Sequence, residues 1–292
     1  MNRLRDLLRL MRPVQWIKNS FVFTGFIFGE HFHDFDLFLR VVMAAIAFCL
    51  VSSCIYIIND IADCENDRKH PKKRARPLAS GQVTLPVAIA LALVLGVVGF
   101  ALGLWVSQKV AVILFIYALM NVAYSFSWKN VVIVDVFCIS AGFMLRILAG
   151  TVGVDIPPSK WLLLCGMMIT LFLGFTKRRA EIISLADHRN EHRKVLESYG
   201  PIFLDEVIAI CATGAIITYS LYTLSSETIA IHHTENLVST VPFVIYGLFR
   251  YLFLLHHRHF GEDPTKDLMK DSHIIVSVLG WILVSFCILY GA

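Results

Sequence analysis

The sequence predicts an all-α polytopic membrane protein, a bundle of about nine transmembrane helices forming one membrane domain over residues 1–292. Three observations predict it. Hydrophobic residues make up 57% of the chain and charged residues only 16%, with a mean hydropathy of +0.68, too apolar for a soluble protein of 292 residues. Apolar stretches of roughly 20 residues, enough to cross a bilayer at about 1.5 Å per residue, begin near Trp16, Leu37, Thr84, Val110, Val131, Lys160, Ile202, Leu237 and Ser272. No long polar segment separates them, so no soluble module is expected.

Residues 1–12 precede this bundle and are amphipathic. Leu4, Leu7, Leu8 and Met11 share one helical face, and Arg3, Arg5, Arg9 and Arg12 decorate the rest. That is the pattern of a helix lying on the inner membrane surface, and it is too polar for a cleaved signal sequence. Residues 13–292 form the bundle. With a cytoplasmic N-terminus, the inner segments collect the arginines of residues 3–12, Lys18, Arg68 to Arg76, Lys129, Lys177 to Lys194 and Arg258 to Lys270, whereas the outer side holds only Arg40, Lys109 and Lys160. The asymmetry places the N-terminus on the cytoplasmic side and the C-terminus outside. The net charge of +4 therefore reports topology, and with no basic stripe outside these loops nucleic acid is not expected as a partner. The seven cysteines form no CxxC pair and read as small buried hydrophobes.

The second apolar run, Leu37 to Ile58, ends in Asn59-Asp60-Ile61-Ala62-Asp63-Cys64-Glu65-Asn66-Asp67. At helical spacing Asp60, Asp63 and Asp67 fall at i, i+3 and i+7 and project from one face, with Asn59 beside them. Carboxylates so close repel unless a cation joins them, and Mg²⁺ prefers a few carboxylates completed by phosphate oxygens. The simpler alternative is a hydrated acidic loop. A basic run follows, with Pro71, Pro77 and Gly81 folding it back beside the acids. Arg68, Arg74 and Arg76 are candidates for phosphate contact, while Lys72 and Lys73 are read as facing lipid headgroups.

Two further inner connections supply polar groups. Asn121, Tyr124 and Lys129 sit at the inner end of one span, and the next span carries Asp135 about one turn in and Arg146 deeper, where burial demands partners. Lys177 and Glu181, one turn apart at the end of the sixth span, flank Arg178, and Arg193 leads into the seventh. Lys18, just inside the first span, is placed to meet a phosphate arriving from the bilayer. His188 and His192 have i, i+4 spacing but no adjacent third ligand and are read as solvated, while the His256-His257 run is read as interfacial.

The order Asn59-Asp60-x-x-Asp63-x-x-x-Asp67 followed by Arg76-Pro77-Leu78 resembles the UbiA superfamily of intramembrane prenyltransferases. That resemblance implies a UbiA-like bundle with Mg²⁺ held at its mouth by Asn59, Asp60, Asp63 and Asp67, the three aspartates being the catalytic set. The superfamily carries a second acidic motif after the sixth span, and here that position reads Lys177-Arg178-Arg179-Ala180-Glu181. Arg12-Pro13-x-Gln15-Trp16-x-Lys18-Asn19, Tyr124-Ser125 with Lys129, Gly142-Phe143-x-Leu145-Arg146, Lys177-Arg178-x-x-Glu181, and Arg250-Tyr251 with Gly261-Glu262 are together similar to the decaprenyl-phosphate phosphoribosyltransferase branch. The implied reaction transfers 5-phosphoribose from phosphoribosyl pyrophosphate (PRPP) to a polyprenyl phosphate, for envelope polysaccharide synthesis. The implied partners are those two substrates and the bilayer, and a further copy of the chain is compatible with such a bundle. Two alternatives stand beside it. One is transfer of a prenyl group from its diphosphate to an aromatic or other small acceptor. The other is transport of an anionic metabolite, which broken and repeated spans would favour; no clear internal repeat is found.

Overall fold

The computed structural model describes residues 3–29, 33–69, 73–185, 199–257 and 270–290. Among the described residues eight helices are long and apolar enough to cross a membrane. The segment expected as the first span, from Trp16, differs. It folds as a 3₁₀ helix, Pro13–Phe23, running into a short α-helix α2, Thr24–Phe28. At the 3₁₀ rise those eleven residues cover about 22 Å and α2 adds about 8 Å, so 16 residues reach the roughly 30 Å of a hydrocarbon layer.

The remaining elements follow in order: α1 (Arg3–Met11), α3 (Phe35–Ala62), α4 (Cys64–Lys69), α5 (Leu85–Val106), α6 (Gln108–Phe126), α7 (Val134–Ala149), α8 (Lys160–Leu185), α9 (Pro201–Leu224), α10 (Ser226–His232), α11 (Val241–His257) and α12 (Ser272–Tyr290). Their boundaries have local causes. The Asp34 carboxylate accepts the Leu37 N–H at 2.8 Å and caps α3. Ser107 caps α6 by accepting from Val110 N–H, and its own hydroxyl donates to the Gly153 carbonyl at 2.6 Å. Proline lies in the first turn of α5 and α9, where its missing N–H has no helical partner to lose.

The chain packs as two compact units. The first comprises residues 1–127 and 145–158. Here Val41, Ala44, Phe48, Val51 and Ile55 form a stripe along α3 that meets Val110, Ile113, Leu114 and Tyr117 of α6, together with Val22 and Phe26. Small residues set how close the elements come. A Cβ on Gly150 would lie 1.6 Å from the Val22 carbonyl oxygen, so only glycine lets that turn touch the 3₁₀ helix.

The second unit comprises residues 128–144 and 159–292. Its core joins Val136 of α7, Leu171, Phe172 and Phe175 of α8, Leu204 and Ile208 of α9, Tyr251 and Leu254 of α11, and Ile274 of α12. Ser140 and Thr170 share a buried hydrogen bond of 2.7 Å between α7 and α8. Outward faces of both units present exposed Leu93, Val97, Phe115, Ile210, Phe249 and Val276. Lipid accommodates such a surface, so packing contacts and interhelical hydrogen bonds hold these helices together.

Candidate active site

Helix α3 has 28 residues and is about 42 Å long, more than the hydrocarbon thickness, so its last turn carries Asn59 and Asp60 to the polar edge. The helix stops at Ala62. Asp63 is its C-cap and α4 begins at Cys64, yet the backbone ladder is kept across the joint, Asp63 N–H to Asn59 O at 2.9 Å and Asp67 N–H to Asp63 O at 2.8 Å. Asp60 and Asp67 therefore stay on one side, as their spacing predicts, and each is only 3% exposed. Asp63 sits half-buried at the joint.

Arg76 holds the two buried carboxylates together. One guanidinium nitrogen donates to Asp67 at 2.5 Å and to Asp60 at 3.1 Å. Arg76 can do so because the loop after α4 folds back: its N–H bonds to Lys73 O, Ser80 N–H bonds to Arg76 O, and Gly81 takes a left-handed φ of +76° that closes the turn.

A second cation on Asp60 comes from the other end of the unit. Arg12 donates to the same Asp60 oxygen and lies over the Tyr56 ring, 5.1 Å from its centroid. The spacing of its neighbours alone places Arg12 as decoration of a surface helix. The signal that marked it otherwise is its position before Pro13, which ends α1 and turns the chain inward.

Below this cluster the polar groups continue down α3. Ser125 donates to Asn59 at 2.6 Å, Ser53 receives the Trp16 indole N–H at 2.9 Å, and Asn19 reaches Cys49. Deeper still, Arg146 is 4% exposed and donates to Asn19 at 2.7 Å and to Tyr117 at 3.0 Å, with its guanidinium over the Tyr117 and Phe48 rings. These are the partners its burial demanded.

The second unit has its own ionic cluster. Asp135 at the start of α7 accepts from Arg178 at 2.7 Å and from the Tyr199 hydroxyl at 2.7 Å, and Arg178 turns its other nitrogen to Glu181 at 2.5 Å. The Tyr199 oxygen also accepts the N–H of Ile133, whose φ of +70° is unusual for a β-branched residue. Burial and the Asp135 bond push the Tyr199 phenol up from its ordinary pKa, so it stays protonated as the donor. Neighbouring Arg179 pairs with Asp205.

The other predicted residues divide. Arg68 pairs on the surface with Glu65 at 3.2 Å, not with the buried acids, because it lies on the outer side of α4. Arg74 and Lys177 are exposed, whereas Lys18, Tyr124 and Lys129 are half-buried. Asn121 donates to the Tyr117 carbonyl of its own helix at 2.8 Å. Arg178 is 2% exposed and engaged on both sides, which suits a structural anchor better than an exposed phosphate-binding cation. Arg193, His188 and His192 lie outside the described residues.

Among the described residues no three His, Cys, Asp or Glu side chains converge as a ready metal cage. The donors nonetheless suit Mg²⁺. Asn59 and Asp60 at the end of α3 and Asp67 on α4 offer hard oxygens, and this ion completes its shell with water and phosphate oxygens instead of an all-protein cage.

Residues 20–270 match the UbiA prenyltransferase family. The decaprenyl-phosphate phosphoribosyltransferase of Mycolicibacterium smegmatis is 34% identical, over 96% of this chain and 91% of its own length. The enzyme of the same name from Mycobacterium tuberculosis is 33% identical, over 96% and 93%. A UbiA homologue from Archaeoglobus fulgidus, solved with GPP and Mg²⁺ bound, shares the fold at a TM-score of 0.70 and 18% identity, covering 97% of this chain and 99% of that one. Through this match across most of its length, the chain belongs to the UbiA prenyltransferase family and is an integral membrane transferase.

Proposed function

We propose that the chain transfers the 5-phosphoribosyl group of PRPP to a polyprenyl phosphate, releasing pyrophosphate, at the cytoplasmic face of a prokaryotic inner membrane. The observation that carries this reading is the near full-length likeness to enzymes named decaprenyl-phosphate phosphoribosyltransferase. The site is chemically suited to it. PRPP and the lipid bring three phosphate-bearing groups together, and the chain gathers carboxylates and arginines at one helix end.

In this reading Asn59, Asp60, Asp63 and Asp67 hold Mg²⁺, which when bound neutralises charge on the pyrophosphate. The chain's own cations do the rest. Arg76 and Arg12, already beside Asp60, orient the diphosphate as the ribose C1 gains positive character. Lys18 receives the lipid phosphate, and Arg68 on α4 with Arg74 in the turn after it attracts the 5-phosphate. Arg178 positions Glu181 from its buried pair with Asp135, and Arg146 with Asn19 and Tyr117 forms the deeper polar group. A phosphate oxygen of the lipid is anionic at neutral pH and attacks C1 without a strong general base.

The test is direct. Purified protein with Mg²⁺, polyprenyl phosphate and PRPP labelled in the ribose should move label into the organic phase. Label that stays aqueous, together with turnover of a prenyl diphosphate and a small acceptor, would assign the chain to prenyl transfer instead.

A further inference from the structure

Arg12 occupies a backbone state that its sequence context opposes. Its φ of 55° and ψ of 57° are left-handed, and the following Pro13 disfavours helical conformations at the preceding residue. Strain of this kind persists only where surroundings over-determine it. They do so here: Leu10 is fully buried, the Ser53 hydroxyl donates to the Met11 carbonyl at 2.8 Å, and the Trp16 indole bonds to the same Ser53 at 2.9 Å. The junction between α1 and the 3₁₀ helix is thus pinned on both sides of Arg12. The result is to set one guanidinium on Asp60, which Arg76 already serves.

Asp60 and Asp67 with the two guanidinium groups they accept from make a locally neutral set beside Asp63. A divalent cation entering alone would place its charge beside both arginines and would have to displace them from the Asp60 and Asp67 oxygens. A diphosphate entering with the cation restores the balance, because it gives both arginines a new anionic partner.

Resting on the proposed metal and diphosphate site, we propose that Arg12 is an exchangeable counter-ion. Without ligands it neutralises Asp60. When a divalent cation takes the carboxylates, Arg12 moves to the diphosphate of the donor. The exchange makes cation and diphosphate bind cooperatively and opposes binding of the cation alone. Arg12 is then a substrate-contacting residue for the reaction, delivered by the surface helix α1.

The experiment measures Mn²⁺ uptake by the full-length protein in detergent, through the electron paramagnetic resonance of free Mn²⁺, with and without inorganic pyrophosphate. Wild type should take up Mn²⁺ weakly alone and more tightly with pyrophosphate. Arg12→Gln should bind Mn²⁺ alone about tenfold more tightly and bind pyrophosphate with Mn²⁺ about tenfold more weakly, opposite changes that lost structure would not produce. Arg12→Lys, which keeps the charge and guards against a misfolded Gln variant, should bind Mn²⁺ alone as wild type does but lose pyrophosphate affinity with the fork. Changes in the same direction for both ligands, or none in either variant, would overturn the exchange. If Asp60→Asn abolishes Mn²⁺ uptake while both Arg12 variants match wild type, the metal site stands and the exchange falls. If wild type takes up no Mn²⁺ under either condition, both fall.

Discussion

Arg178 donates its Nε–H to the Asp135 carboxylate at 2.7 Å, and the two side chains are 2% and 0% exposed. A buried pair of this kind is sensitive to loss of one partner, because the other is left charged without water. Arg178→Ala or Asp135→Leu should therefore lower stability by about 3–5 kcal/mol. The double variant should cost less than the two single ones added together. Thermal midpoints in detergent check this. A normal midpoint with a raised KM for PRPP would instead return Arg178 to the substrate.

Tyr199→Phe tests the same cluster more gently. It removes the donor to Asp135 and the acceptor of the Ile133 N–H, so a loss of about 1–3 kcal/mol is expected, with protein yield little changed. An unchanged melting midpoint would show that these two bonds contribute nothing net.

Asp60→Asn should lower turnover by about 100-fold or more in a protein that remains folded, and EDTA should do the same to wild type. Asp60 is the sharper choice because, among the described residues, it alone pairs with both Arg12 and Arg76. Full turnover by the variant, or by wild type in metal-free buffer, would reject the carboxylates as metal ligands.

PRPP with Mg²⁺ should raise the thermal midpoint, by an amount corresponding to about 2.7 kcal/mol at a hundred times Kd. Geranylgeranyl diphosphate in the same buffer should raise it less. The reverse order would favour prenyl transfer.

Asp271 offers a pH test away from the site. It caps α12 through the N–H groups of His273 and Ile274 and pairs with Arg250 at 2.8 Å, and the Arg250 hydrogen bond is the main cause of its pKa falling to about 2. A depressed carboxylate pKa contributes stability that is complete above the unfolded value of about 3.9 and is lost as pH falls through the folded one. The midpoint difference between wild type and Asp271→Asn should thus be constant above about pH 5 and shrink between about 4 and 2. Asparagine still caps a helix, so the difference isolates the charge. A difference independent of pH would exclude this linkage.

Much of the architecture was legible in the residues, because a bilayer admits few solutions. Apolar runs of the right length must be helices, and this places α3, α5, α6, α7, α8, α9, α11 and α12. The spacing of Asp60 and Asp67 likewise put them on one face, since helical periodicity is a local property. Tertiary structure decided what lies far apart in the chain. Arg12 meets Asp60 across 48 positions and Arg146 meets Asn19 across 127, partnerships that depend on which helices pack together and carry no local pattern. It also separated the cations that look alike in sequence, leaving Arg68 on the surface, setting Arg76 between two acids and burying Arg178 beside Asp135. Composition supplied the charges; only burial and the choice of carboxylate partner distinguish an anchor from a cation that can meet a phosphate.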